Sequence, residues 1–174
     1  MAQKMVIPQI KRILYATDLS KNSAYAFYYA TDLAQKRNAQ IVILHAVEPI
    51  NPSVSLYMTE QIVKVREENL KEAAREIERR LQNFCAKVDS KVGGSSKELV
   101  SKILVRLGYP VEEILKTADE EKCDLIVLGN HGKGFLQQTF LGSVSRSVLD
   151  RSRKPVLIIP LPPEEVEIGW DEPL

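Results

Sequence analysis

The chain has few cysteines and no long apolar run, and each shortage argues against a class of protein. Its two cysteines, Cys85 and Cys123, are too few for a disulfide framework and form no C-x-x-C site. No apolar stretch approaches the roughly 20 residues that a membrane-spanning helix requires. The segment Met1–Pro8 lacks the longer apolar region of a signal peptide. We therefore expect a cytoplasmic protein with no membrane partner and no metal site built from cysteines.

The chain also lacks a large excess of either charge. Its formal net charge of +1 is too small to predict binding to nucleic acid. A length of 174 residues, 44% of them hydrophobic, favours a single globular domain with a sizeable core. The end of the chain differs, because residues 161–174 include five acidic residues and no Lys or Arg. We expect one domain over residues 1–160, followed by an acidic tail over 161–174.

Short apolar runs alternate with amphipathic segments along the body of the chain. Apolar runs without polar alternation are typical of parallel strands that are covered on both faces, and a period of 3.6 residues predicts helices. This alternation predicts an α/β fold with an open parallel five-stranded sheet and right-handed crossovers. The predicted strands are 12–17, 40–47, 103–107, 125–128 and 156–159, and the predicted helices are about 22–38, 59–88, 110–118 and 143–152.

Two common phosphate-binding loops are absent from the glycine-rich stretch after Leu128. A P-loop that began at Gly129 would need Gly-Lys where the sequence has Gly134-Phe135. A dinucleotide fingerprint that began at Gly132 would need a third glycine where Gln137 stands. Neither a P-loop nor a dinucleotide-binding motif is therefore present.

What is present is an apolar strand followed by G-x-x-G, nine further residues and G-S. The four positions are Gly129, Gly132, Gly142 and Ser143. Glycines allow backbone N–H groups to approach an anion with no Cβ in the way. Ser143 is the predicted N-cap of the next helix, whose first N–H groups attract negative charge. The pattern predicts a site for the phosphates of a nucleotide.

This pattern resembles the ATP-binding signature of the universal stress protein family. Four other segments are similar to the family, so that the resemblance covers about Lys11 to Pro160: 13–20, 43–47, 108–115 and 123–129. The resemblance implies a Rossmann-like (adenine nucleotide alpha hydrolase-like) sheet in the order 3-2-1-4-5, with helices on both faces. In that order the first and fourth strands meet at the place where open α/β sheets usually bind ligands.

The resemblance also implies ATP as the ligand, with a Mg²⁺ or Mn²⁺ ion, and a role for each site residue. Asp18 would meet the ribose or the adenine, although a simple N-cap is an equally good interpretation of this residue from the sequence alone. Thr17 would line the same turn, and Ala46 or Val47 would bound the adenine. The phosphate-binding candidates are Gly129, His131, Gly132, Gly142, Ser143, Val144 and Ser145.

These expectations leave three interpretations of function. The leading one is a nucleotide-dependent regulator or sensor in stress response, a homodimer through Val156–Ile159 that acts on an unknown signalling partner. A slow or partner-stimulated ATPase or phosphoryl-transfer enzyme is the second, but such chemistry needs metal ligands and a positioned nucleophile. Only Asp18 is an obvious acidic candidate, so we predict no catalytic residue. The third interpretation is a dimeric interaction module that binds no nucleotide.

Overall fold

The computed structural model describes residues 8–49, 60–92, 96–130 and 141–160. Its strands run in the order β3-β2-β1-β4-β5, and all four strand pairings are parallel. The predicted fold and strand order are therefore confirmed. In chain order, the elements are β1 (Arg12–Ala16), α1 (Lys21–Arg37), β2 (Gln40–Val47), α2 (Glu60–Val92), α3 (Ser96–Leu99), β3 (Val100–Leu107), α4 (Pro110–Glu120), β4 (Leu125–Gly129), α5 (Ser143–Arg151) and β5 (Val156–Ile159).

Strand β3 begins three residues before the predicted start at Ile103. Its first residues include the exposed Ser101 and Lys102, which gave no apolar signal. Backbone pairing with β2 nevertheless extends to Val100, across a register shift at Ile41 and Val42. The Ser101 hydroxyl donates a hydrogen bond to the Ile41 carbonyl over 3.1 Å. An edge strand of this kind is stabilised by main-chain bonds, so its polar end is invisible to a search for apolar runs.

Helix α2 was also predicted too short, since it continues from Val88 to Val92. Its burial changes along its length. Leu81, Phe84 and Val88 are buried in the core, whereas Ile62 and Val65 are about half exposed. The C-terminal half of α2 therefore attaches this helix to the sheet.

Helices pack on both faces of the sheet, as predicted, and divide the core into two layers. In the first layer α1 and α2 cover the sheet, and the ring of Phe27 lies 5.0 Å from that of Tyr15 and 5.5 Å from that of Phe84. In the second layer α4 and α5 contribute Ile114 and Val148. Each layer contains one buried cysteine, Cys85 in the first and Cys123 in the second.

The start of β1 and the end of β5 are fixed by hydrogen bonds from other elements. The Asp124 carboxylate accepts from the backbone N–H groups of Lys11 and Arg12, over 2.8 and 3.0 Å. The Ile159 carbonyl accepts from the N–H of Asn130 over 2.8 Å and from the side-chain amide of Asn22 over 3.4 Å. These contacts align the amino ends of β1 and β4, and they hold the carboxyl end of β5 beside the end of β4 and the start of α1.

Candidate functional site

A cavity of about 600 Å³ opens at the carboxyl ends of β1, β2 and β4. This is the position where the order of the sheet reverses, because the chain proceeds from β1 to β2 on one side and reaches β4 on the other. Seventeen of the described residues line the cavity: Ala16, Thr17, Asp18, Ser23, Leu44, His45, Ala46, Val47, Glu48, Pro110, Ile114, Leu128, Gly129, Gly142, Ser143, Val144 and Ser145.

The turn between β1 and α1 forms one wall and is held by its own side chains. Thr17 Oγ1 accepts the N–H of Leu19 over 3.0 Å, and Asp18 Oδ1 accepts that of Ser20 over 3.0 Å. Ser20 is the N-cap of α1, and its hydroxyl accepts the N–H of Ser23 over 3.2 Å. The Thr17 hydroxyl donates to Ser23 Oγ over 2.9 Å, so its proton is already used within the protein. Leu19 adopts a positive φ of 62°. The hydrogen bonds of the turn offset the free-energy cost of this backbone conformation.

These contacts test the simple N-cap interpretation of Asp18. Asp18 precedes the cap residue, and its carboxylate forms an Asx turn rather than capping α1. One carboxylate oxygen is used in this turn, and the residue lines the cavity. The simple N-cap interpretation of Asp18 is therefore wrong.

His45 forms part of the cavity wall and fixes the turn from the neighbouring strand. Its Nδ1 lies 2.8 Å from the carbonyl oxygen of Thr17, and only 9% of the residue is exposed. Because a carbonyl can only accept, Nδ1 carries the proton in this contact. His45 is therefore a largely buried histidine whose ring is held by a hydrogen bond to the turn.

Gly129 ends β4 at a very close approach to α1. A Cβ at this position would lie 2.8 Å from Asn22 Oδ1 and 3.3 Å from the Asn22 backbone carbonyl carbon. Asn22 is itself buried, with 3% of its surface exposed. Glycine at position 129 therefore allows the start of α1 and the end of β4 to meet at the cavity.

The N-terminus of α5 faces the cavity without a side-chain cap. Ser143, which was predicted as the N-cap, is instead the first helical residue, and the cap is Gly142, in an extended conformation. The N–H of Arg146 donates to the Gly142 carbonyl over 2.9 Å. The N–H groups of Ser143, Val144 and Ser145 have no acceptor within the helix, because they precede the first full turn.

The Ser145 hydroxyl makes a hydrogen bond within the protein. Ser145 Oγ donates to the Gly129 carbonyl over 2.8 Å, and only 6% of the residue is exposed. This bond joins α5 to the end of β4. The Ser145 hydroxyl thus positions the start of α5 relative to the glycine at the cavity wall.

Charges are distributed unevenly around the cavity. Asp18 and Glu48 lie at the ends of β1 and β2, whereas the first turn of α5 contains no acidic residue. Helix α4 also begins near the cavity, but Glu112 and Glu113 occupy its first turn. Negative charge is therefore favoured at the start of α5, where three N–H groups and the helix dipole act together.

The model of the universal stress protein family matches residues 9–160, which is most of the chain. The chain belongs to the universal stress protein family. Among curated relatives, universal stress protein MJ0577 of Methanocaldococcus jannaschii is 29% identical over 163 residues, covering 86% of this chain and 94% of that protein. Universal stress protein YxiE of Bacillus subtilis is 32% identical over 154 residues, covering 85% of this chain and 97% of that protein.

Solved universal stress protein structures share the fold. The MJ0577 structure has a TM-score of 0.64 at 26% identity, covering 90% of this chain and all of that one. UspA from Lactobacillus plantarum has a TM-score of 0.71 at 24% identity, covering 88% of this chain and 99% of that one. A universal stress protein solved in complex with cAMP has a TM-score of 0.54 at 24% identity, covering 88% of this chain and 98% of that one.

In this universal stress protein, nine of the predicted site residues lie together in the cavity wall. They are Thr17, Asp18, Ala46, Val47, Gly129, Gly142, Ser143, Val144 and Ser145. The other two, His131 and Gly132, lie outside the described residues. Their roles therefore stay predictions.

Several residues that line the cavity were not predicted from the sequence. The apolar ones are Ala16, Leu44, Leu128, Pro110 and Ile114, and they were predicted only as parts of strands or a helix. Glu48 is the most informative omission, because it places a second carboxylate at the cavity. The sequence did contain a signal for Glu48, because this residue, like Asp18, follows the predicted apolar strand directly.

No helix within the described ranges is both long enough and apolar enough to cross a membrane. The same ranges contain no group of three or more His, Cys, Asp or Glu side chains that could hold a metal ion.

Proposed function

We propose that this universal stress protein binds ATP in the cavity and acts in the cytoplasm as a nucleotide-dependent regulator or sensor of stress. The observation that carries the proposal is the N-terminus of α5, which has no side-chain cap and faces a cavity of about 600 Å³. The N–H groups of Ser143, Val144 and Ser145 would bind phosphate oxygens. Gly142 lets the phosphates approach closely, since it presents no side chain.

The remaining lining residues suit the adenine and the ribose. Ala46 and Val47 end β2, and with Pro110 and Ile114 of α4 they offer apolar surface to a base. Asp18 lies between this apolar region and the start of α5, within reach of ribose hydroxyls. We propose that His131 and Gly132 complete the phosphate site from the loop between β4 and α5.

A metal ion would bind chiefly through the nucleotide. Mg²⁺ commonly combines one or two carboxylates with phosphate oxygens and water, and Mn²⁺ accepts similar ligands. Asp18 is the carboxylate that we propose for this purpose. The ion would neutralise phosphate charge and orient the polyphosphate, and the N–H groups of α5 would hold the remaining oxygens.

Regulation is a better fit to the described site than rapid turnover. Phosphoryl transfer requires a positioned nucleophile as well as metal and phosphate contacts. Two of the side chains that could act as a base, Asp18 and His45, already make hydrogen bonds within the β1–α1 turn. Slow or partner-stimulated hydrolysis is the alternative enzyme function, and a dimeric module without nucleotide is the alternative binding function.

The experiment that tests the proposal is an assay of the nucleotide released when the purified protein is denatured, followed by titration with ATP and AMP in Mg²⁺. We expect stoichiometric binding of ATP, with no hydrolysis over several hours. Bound ADP or AMP, together with turnover, would support the enzyme instead. If neither nucleotide is released or bound, the cavity is not an adenine nucleotide site.

We propose that residues 1–160 form the nucleotide-binding domain, that 161–174 form a separate acidic tail, and that the protein is a homodimer through β5. Strand β5 lies at the sheet edge, and all four of its residues, Val156–Ile159, are apolar. Val156, Leu157 and Ile158 are only partly buried. An exposed apolar edge favours association, and a twin strand would satisfy its free backbone groups.

Replacing Ile158 by lysine is expected to weaken the dimer by at least tenfold. Ile158 is partly buried in the monomer, and a charge in the proposed interface would have to be desolvated. Analytical ultracentrifugation at low micromolar concentration measures the effect. Ile62→Lys is the matched control, because Ile62 is 50% exposed on α2, which contacts the opposite edge strand β3. Equal dimer stability in wild type and both variants would argue against the β5 interface.

A further inference from the structure

The Glu48 carboxylate differs from most other carboxylates of the described chain because no other described residue pairs with it. It directly follows Val47, the last residue of β2, and its side chain is exposed at the cavity. Among the described residues, no hydrogen bond or ion pair reaches it. By contrast, Glu112 pairs with Arg151 over 2.7 Å and Glu120 with Arg106 over 2.6 Å.

The position of Glu48 relative to the phosphate-binding end suits a ribose. Strands β2 and β4 are the two neighbours of β1, so their ends lie about 10 Å apart, or two strand spacings. The α5 N–H groups lie on the β4 side of the cavity, and Glu48 lies on the β2 side. A nucleotide whose 5′-phosphates contact Ser143 and Val144 therefore extends its sugar and base toward β1 and β2.

A carboxylate at the end of β2 can distinguish sugar hydroxyls from a phosphate group. A carboxylate is an acceptor with no proton to donate, and two adjacent sugar hydroxyls are two donors. An acidic residue placed near a ribose in an α/β fold binds the free 2′-hydroxyl and disfavours a 2′-phosphate. Asp18, after the neighbouring strand β1, adds a second negative charge to the cavity wall.

We infer that Glu48 makes the site selective for the ribose: it accepts hydrogen bonds from the free 2′- and 3′-hydroxyls and repels a phosphate at either position. This inference rests on the proposed function, since it assumes that a nucleotide occupies the cavity. It assigns the site to ribonucleotides phosphorylated only on the 5′ side. Deoxyribonucleotides and nucleotides that carry a 2′- or 3′-phosphate bind less well.

Competition against a fluorescent ATP analogue tests the selectivity at low ionic strength, where charge repulsion is least screened. Wild type is expected to prefer AMP over adenosine 2′,5′-bisphosphate by about tenfold, since juxtaposed like charges at a binding site are costly. Glu48→Gln, which keeps the size of the side chain and removes its charge, should narrow that preference by about fivefold. ATP and 2′-deoxy-ATP give a second comparison, with about a threefold preference for ATP in wild type. This preference should be smaller in the variant, because the neutral amide oxygen of glutamine accepts a weaker hydrogen bond than a carboxylate.

Glu78→Gln is the matched control, because Glu78 is exposed on α2 and does not line the cavity. It removes the same charge and should leave both preferences unchanged. If ATP binds and Glu48→Gln retains the wild-type preferences, the role of Glu48 is overturned and the proposed function stands. If wild type binds none of these nucleotides, both the inference and the proposed function fail.

Discussion

Replacing Ser143 by aspartate is expected to weaken ATP binding by about a hundredfold, equivalent to about 2.7 kcal/mol. The new carboxylate would lie at the first position of α5, among the N–H groups proposed to bind phosphate. The same charge interacts favourably with the helix dipole, so that stability without nucleotide should rise by about 0.5 kcal/mol. Isothermal titration and thermal unfolding of the nucleotide-free protein measure the two effects.

Ser143→Asp should lower the affinity for ATP and raise the stability of the nucleotide-free protein, whereas general damage to the fold would lower both. Ser143→Pro is an informative companion, because it removes one N–H group at a helical position where proline is well tolerated. Gly142 has φ −56° and ψ 153°, a conformation that a following proline accepts. We expect about a tenfold loss of ATP affinity from this variant. A Ser143→Asp variant that binds ATP as tightly as wild type would exclude the start of α5 as the phosphate site.

Replacing Gly129 by alanine is expected to destabilise the protein by about 2 kcal/mol. The added Cβ would lie 2.8 Å from Asn22 Oδ1 and 3.1 Å from Asn22 Cγ, in a contact where α1 packs on the end of β4. Because Asn22 is buried and its backbone is part of α1, the contact cannot be relieved by a small side-chain movement. Urea denaturation of the nucleotide-free protein gives the change in unfolding free energy.

Two further variants show whether the cause is the contact with Asn22. At Gly108 the atoms nearest to an added Cβ belong to the flexible side chain of Glu113, so Gly108→Ala should cost less than Gly129→Ala. In an Asn22→Ala background, the added cost of Gly129→Ala should fall below about 1 kcal/mol, because contacting residues are not additive. Equal costs for Gly129→Ala in both backgrounds would contradict the steric explanation.

Continuous apolar segments were predicted most accurately. The limits of β2 and β5 match the predicted ranges, since β2 contains the continuous apolar run Ile41–Leu44 and all of β5 is apolar. The start of β3 was missed because Ser101 and Lys102 contribute main-chain bonds without an apolar side chain. The strand order came from the family resemblance, because spacing along a chain does not fix which strands are neighbours.

The candidate site was predicted through its glycines and its polar strand ends, and what was missed depends on three-dimensional contacts. Gly142 rather than Ser143 caps α5, a difference of one residue that propensity alone does not resolve. The close approach of Asn22 to Gly129 joins residues more than a hundred positions apart, so no local pattern reveals it. Glu48 lacked a motif, and its importance depends on the cavity beside it.

The placement of one cysteine in each core layer has a consequence for measuring local opening of the molecule. Cys85 is 4% exposed and Cys123 is 1% exposed, and burial raises the pKa of the Cys123 thiol to about 11. A thiol-alkylating reagent can therefore modify either cysteine only when the covering helices transiently separate from the sheet. The rate of alkylation at each cysteine, resolved by mass spectrometry, reports the opening free energy of the α1/α2 layer and of the α4/α5 layer independently. The native sequence thus contains two internal probes, one for each side of the sheet, without any engineered label.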